Sequence, residues 1–146
     1  MTTMRHAALL VLALAIALPA WAADDATLRG FAKRLALSDL DGFVATVQTL
    51  DDTGRLPMRY LRKDEAAKLG WRPGVDLCKL APGRAIGGDV FSNRERKLPQ
   101  QPGRRYYEAD LDFACGKRNA DRLIYSNDGL RYVTTDHYQS FHQAPK

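Results

Sequence analysis

Apolar residues recur at helical spacing up to about residue 83 and then alternate with polar ones in short runs. In "SDLDGFVATVQTLDDTG", residues 38–54, Phe43, Val47 and Leu50 share one face of a helix. Ser38 is placed to cap its first turn, with Asp41 three residues on, and Gly54 to close its end. "RKDEAAKLG" predicts a second, short helix, acidic at its start, with Leu69 buried and Gly70 beyond its end. "VDLCKLAPG" predicts one more helical turn, stopped by Pro82-Gly83. Ahead of these, "ADDATLRGFAKRLAL" sets Leu28, Phe31 and Leu35 on one side of a weakly amphipathic stretch with Gly30 inside it. Residues 23–37 fit a leader, a pro-segment or an extra helix, and they stand apart from a main domain over 38–146.

The second half reads differently. "AIGGDVF", "RRYYEADLDF", "DRLIYS", "LRYVTT" and "HYQSF" are strand-like, and "SNRERKLPQQPGR", "CGKRNA" and "SNDG" supply turns between them. Helices followed by consecutive strands predict an α+β domain, with the N-terminal helices packed on one face of a twisted antiparallel β-sheet. Along 104–113, Tyr106, Glu108 and Asp110 point one way, and Tyr107, Ala109 and Leu111 the other. The first face is expected to be open and polar, the second to pack on the helices.

Composition and targeting change this picture in two ways. "MTTMRHAALLVLALAIALPAWA" has a basic start, an apolar run from Ala7 to Leu18 and the small-x-small trio Ala20-Trp21-Ala22, the pattern of a cleaved secretory signal over 1–22. Its apolar run is short for a membrane span. The formal net charge of the 146-residue chain is +5, and Arg5 is the only Lys or Arg in the first 22 positions. A small, secreted, basic protein suits an anionic partner: nucleic acid, lipid headgroups or cell-wall polymer. Cys78 and Cys115 both follow the signal, and outside the cytoplasm such a pair reads as a disulfide. They lack the CxxC or HxxxH companions of a zinc site, so no metal is expected.

One of the three histidines, His137, lies between Asp136 and Tyr138 near the end of the chain. A lone histidine there is usually a surface residue. Imidazole also suits proton transfer near neutral pH, and Glu108 on the open sheet face is a candidate partner.

Taken together, "IGGDVFSNRE", "YEAD", "RNADR" and "TTDHYQSF", in this order and spacing, resemble the secreted bacterial guanyl-specific ribonucleases of the barnase type, within the microbial N1/T1 family. The similarity is collinear from about Gly42 to Phe141, with a one-residue deletion between Trp71 and Ala81. It implies the fold already predicted, with the active site on the open face. It places a general base at Glu108, a general acid at His137, and phosphate-binding cations at Lys63, Arg118 and Arg122. Asp110, on the Glu108 strand, is a natural tether for the two arginines.

The resemblance also implies guanine recognition by residues 91–95. Backbone N–H groups of Asn93 and Arg94 would serve O6, and the Glu95 carboxylate would serve the N1–H and N2–H₂ edge. Phe91 and Tyr138 would supply stacking surface, and Ser92 would hold the loop.

The implied activity is cleavage of single-stranded RNA after guanine, through a 2′,3′-cyclic phosphate that is then hydrolysed. It requires no cofactor and no metal. The implied protein is a secreted monomer, away from the membrane, with an acidic inhibitor of the barstar kind as a possible partner. Two rival readings are a non-catalytic RNA-binding protein on the same fold and an RNA-targeting toxin domain. Tyr106 and Tyr107 stand where familiar members have Trp and Arg. Lys117 replaces an aromatic beside the site, Arg62 a good N-cap, and Gly54 a cation at a helix end.

Overall fold

The computed structural model describes residues 23–146; the secretory signal read at 1–22 lies outside the described residues. Among the described residues no helix is long and apolar enough to cross a membrane.

Three helices come first: α1 (Asp25–Arg34), α2 (Leu40–Thr53) and α3 (Lys63–Lys68), with the two-residue strand β1 (Tyr60–Leu61) before α3. A 3₁₀ turn, Leu77–Lys79, leads to strands β2 (Ala85–Phe91), β3 (Tyr106–Asp110), β4 (Arg122–Ser126), β5 (Arg131–Thr134) and β6 (His142–Gln143). The strands lie side by side in sequence order. Neighbours are antiparallel except β1, which runs parallel to β2. This is the expected α+β arrangement; the parallel pair was not foreseen, since two residues carry no readable alternation.

Residues 25–34 are helical and packed. Leu28, Phe31 and Ala32 are buried in the same cluster as Phe43, Val47 and Leu50 of α2 and Ala109 and Leu123 of the sheet. The Phe31 and Phe43 rings stack 6.0 Å apart. Asp24 accepts the Thr27 N–H at 2.7 Å, an N-cap that fixes where α1 begins.

Helix α2 starts one residue later than its sequence suggests. The cap is Asp39, whose carboxylate accepts the Gly42 N–H at 2.8 Å. The Ser38 and Asp39 N–H groups instead donate to the Asp112 carboxylate at 2.7 and 2.9 Å. Asp39 thus takes the capping role expected of Ser38, and a side chain 74 residues away holds the chain just ahead of the helix. Gly54 closes the helix at φ 69°, as expected. In α3 the buried residue is Ala66, while Leu69 is 49% exposed; a six-residue helix turns one narrow face inward, and Leu69 falls past it.

On β3, Ala109 joins the main core, while Tyr106, Glu108 and Asp110 share the opposite face, as the alternation requires. That face is not wholly polar. Tyr106 packs with Leu98, Ile124 and Tyr132 in a small separate core, bordered by Phe91, Tyr138 and Phe141. The "HYQSF" segment is a loop rather than a strand. His137 and Tyr138 both have left-handed backbone, at φ 53° and 70°.

Candidate active site

Two glycines open the site. The β2–β3 register shifts between Gly87 and Asp89, and Gly88 has φ 104°, a bulge that sets Asp89 opposite Glu108. A Cβ on Gly87 would meet the Tyr60 ring at 2.6 Å and the Ala109 Cβ at 2.9 Å, so the strand closes on β1 and β3 only with glycine there. The Asp89 carboxylate then accepts the Lys63 N–H at 3.1 Å and anchors the first residue of α3. Arg62 offers no acceptor for that end; the Glu65 carboxylate takes the Arg62 N–H at 2.8 Å, half of a capping box. From this start the Lys63 Nζ reaches the Glu108 Oε1 at 3.1 Å.

Glu108 has a side chain only 12% exposed. Its second oxygen, Oε2, accepts the Tyr138 hydroxyl at 2.5 Å. Burial, reinforced by the Glu108 carboxylate, pushes the Tyr138 phenol up to about 12. The phenol therefore stays protonated and donating at any pH near neutrality. His137, next in the chain, leans its ring on Tyr138 with centroids 4.9 Å apart and is itself exposed.

Asp136 holds the loop that carries His137 and Tyr138. Its carboxylate accepts the Thr134 hydroxyl at 2.9 Å, the Ser140 hydroxyl at 2.6 Å, and the N–H groups of Gln139 and Ser140 at 3.0 and 2.9 Å. These bonds hold its pKa below the usual 3.8, the Ser140 hydroxyl contributing most. They also explain why an alternating sequence forms a loop: one carboxylate satisfies donors that a strand would have paired across the sheet.

Two residues further along β3, Asp110 is buried and faces two arginines. Arg118 forks onto it with Nε and Nη2 both at 2.7 Å, and Arg122 Nε lies 3.1 Å from Oδ1. The Arg122 contact is at ion-pair distance but too poorly aligned for a hydrogen bond. The Asp110 hydrogen bond raises the Arg118 pKa against the opposing effect of burial. One carboxylate between two guanidiniums leaves a fixed positive charge. Arg118, Arg122 and His137 line one recess of about 350 Å³, with Lys117 and Trp71 on its walls.

A second recess, of about 380 Å³, is lined by Phe91, Ser92, Asn93, Arg94 and Glu95 together with Tyr138. All six residues named for base binding therefore meet. Phe91 and Tyr138 are stacked on each other, centroids 5.5 Å apart and planes 18° off parallel. The loop is tied by Asn93 and not by Ser92. The Asn93 side chain accepts the Leu98 N–H at 3.1 Å and donates to the Leu98 carbonyl at 2.9 Å, while no Ser92 side-chain bond is found among the described residues. Asn93 tolerates its φ of 46° better than most residues, which suits it to this post.

Lys97 went unnoticed in the sequence. Its ammonium pairs with Glu95 at 3.0 Å and donates to the carbonyls of Tyr138 and Gln139 at 3.0 and 3.2 Å, joining the two loops. Only a contact between loops far apart in sequence assigns it, so no local pattern marks it.

Cys78 and Cys115 form the expected disulfide, with Cα atoms 5.5 Å apart. Asp76 lies beside them, but bridged sulfurs are not thiolate ligands, so this group is not a metal centre.

A family model described as ribonuclease matches residues 44–145. Proteins called ribonuclease from Heyndrickxia coagulans, Bacillus intermedius and Bacillus pumilus are each 54% identical over 88 residues, 60% of this chain. The match covers 81% of the first relative and 54% of the other two, so the chain spans about half the length of those two. The family model's match begins beyond α1, and the chain belongs to the bacterial ribonuclease family of the barnase type.

Proposed function

We propose that this ribonuclease is a secreted, metal-independent endonuclease that cuts single-stranded RNA on the 3′ side of guanine. The observation that carries the reading is the arrangement around Tyr138. Its hydroxyl bonds the Glu108 carboxylate, its ring touches the His137 imidazole, and two arginines fixed by Asp110 lie on the same sheet face.

In the first step Glu108 takes the proton of the ribose 2′-hydroxyl as that oxygen attacks phosphorus. His137, protonated, gives its proton to the departing 5′-oxygen. The P–O5′ bond breaks and a 2′,3′-cyclic phosphate forms. In the second step His137 takes a proton from water, the hydroxide opens the ring, and Glu108 returns its proton to the 2′-oxygen. Each group is worth about 10²–10⁴ in rate. Charge building on the equatorial phosphate oxygens is proposed to meet Arg118, Arg122 and Lys63. The nucleophile is internal to the substrate, so the protons need no metal-bound water.

For the base, the Asn93 and Arg94 N–H groups are proposed to bind guanine O6, and Glu95 to accept from N1–H and N2–H₂. Adenine offers neither pattern. An acidic inhibitor covering this cationic face is proposed as a partner, and the chain is proposed to act as a monomer.

The test is cleavage of GpN and ApN dinucleotides in EDTA by the purified protein, its Glu108→Ala variant and its His137→Ala variant. G-selective cleavage, lost in both variants, supports the reading. Binding of RNA without cleavage favours a non-catalytic RNA-binding protein instead.

A further inference from the structure

The stretch 113–117 leads into one wall of the recess that holds Arg118, Arg122 and His137, giving it Gly116 and Lys117, yet little holds the stretch in place. Among the described residues it makes no backbone or side-chain hydrogen bond, and positions 114–117 are exposed. Cys115 and Gly116 follow each other in left-handed backbone, at φ 69° and 76°. Phe113 packs between two hydrophobic clusters at one end, and the Arg118 fork to Asp110 anchors the other. Between these ends the one tether is the bond from Cys115 to Cys78.

The far side of that bond is rigid. Leu77 is buried with Ala66, Trp71 and Ile86. The Cys78 N–H donates to Asp76 at 3.0 Å, and the Ala81 N–H to the Leu77 carbonyl at 2.8 Å. The opposite wall, Trp71 to Val75, comes immediately before this anchor in sequence. The bridge thus pins a loose wall to a fixed one. The base recess at Phe91–Glu95 shares no residue with either wall.

We propose that the Cys78–Cys115 bridge is a positioning element for the chemical step: it sets the backbone from which Lys117 faces the recess and Arg118 reaches its fork on Asp110, so that RNA cleavage depends on the bridge being closed. The inference rests on the ribonuclease reading above. Cys115 is exposed and Cys78 half-buried, so a dithiol reductant has access. The dithiol supplies two electrons and two protons, the S–S bond breaks to two thiols, and the reductant becomes a disulfide. A chain reduced in this way keeps its base recess and loses the register of its phosphate-facing wall.

The experiment compares single-turnover cleavage of a GpN dinucleotide by the oxidised full chain, the dithiothreitol-reduced chain and the Cys78→Ala/Cys115→Ala pair. It is run at a temperature where near-ultraviolet circular dichroism shows each to be folded. Cys78→Ser/Cys115→Ser serves in parallel should the alanine pair not fold. The rate is expected to fall roughly tenfold or more without the bridge, the scale on which small misplacements act. Guanosine binding is expected to stay within about twofold, because uniform base binding is separate from the chemical step. Arg118→Ala is expected to cost much less without the bridge than with it, as for two groups acting as one unit. Leu28→Ala, which weakens the fold from the helix-covered face of the sheet and lines neither recess, is expected to keep the rate and so separates positioning from stability.

A bridge-free chain that cleaves within about twofold of the oxidised one would overturn the proposal. So would an Arg118→Ala cost that is the same in both backgrounds. An oxidised chain that cleaves nothing overturns the ribonuclease reading, and the positioning role with it.

Discussion

Glu108 meets two donors of opposite character, the Lys63 ammonium at 3.1 Å and the Tyr138 hydroxyl at 2.5 Å. A carboxylate held in this way points at one place and is shielded from bulk water on its flanks. Replacing Glu108 or His137 by Ala is expected to lower kcat by about 10²–10⁴, measured on a dinucleotide, with far smaller effects on KM. Glu95 lies at the rim, its side chain 74% exposed, outside the recess lined by Arg118, Arg122 and His137. Glu95→Gln therefore should lower discrimination of GpN over ApN while leaving the rate on a poor substrate nearly unchanged. Full discrimination by the Gln variant would show that guanine is read elsewhere. Glu108 and His137 could be named as candidates from the sequence because short motifs carry them. Lys97 and the loop-tying role of Asn93 were not, since both act through partners that only the fold brings near.

At the scale of elements, the loop from Asp136 to Ser140 shows why alternation alone misleads. Four donors converge on the Asp136 carboxylate and outcompete pairing in a sheet. Since the folded loop depresses the pKa of Asp136, its hold is complete above the usual 3.8 and is lost as pH falls through the folded value. Asp136→Asn is thus expected to loosen His137 and Tyr138 at neutral pH, seen as faster amide exchange at Gln139 and Ser140. Unchanged exchange would show that the carboxylate does not organise the loop. The antiparallel part of the sheet was readable from its longer strands, whereas β1, the parallel one, was too short to announce itself. Helix α1 was legible only as an amphipathic stretch. Its place in the main core is tertiary, with Leu28 fully buried among residues of α2 and the sheet. Leu28→Ala is expected to destabilise the protein by about 3 kcal/mol, as for other large-to-small core changes, read from the urea midpoint.

Across the whole molecule, the disulfide closes a loop between positions 37 apart in sequence. Constraining the unfolded chain in this way is worth roughly 4 kcal/mol. Stability should also fall on the alkaline side. Burial pushes the phenols of Tyr125 and Tyr138 from 10.0 up to about 12, so both favour the protonated form in the folded state. Their contribution is whole below pH 10, shrinks as the unfolded chain ionises, and is gone as pH passes their folded values near 12. Urea midpoints at rising pH check the sign: a midpoint that climbs through this window contradicts it. The net charge of +5 draws the chain to a polyanion without choosing which one. The proposed choice rests on a carboxylate and an imidazole that both meet one tyrosine. The most direct test of that pair is the pH dependence of single-turnover cleavage of a GpN dinucleotide by the wild type, Glu108→Ala and His137→Ala. The account predicts a bell for the wild type, loss of the acid limb without Glu108 and loss of the alkaline limb without His137. Both limbs persisting in either variant would contradict it.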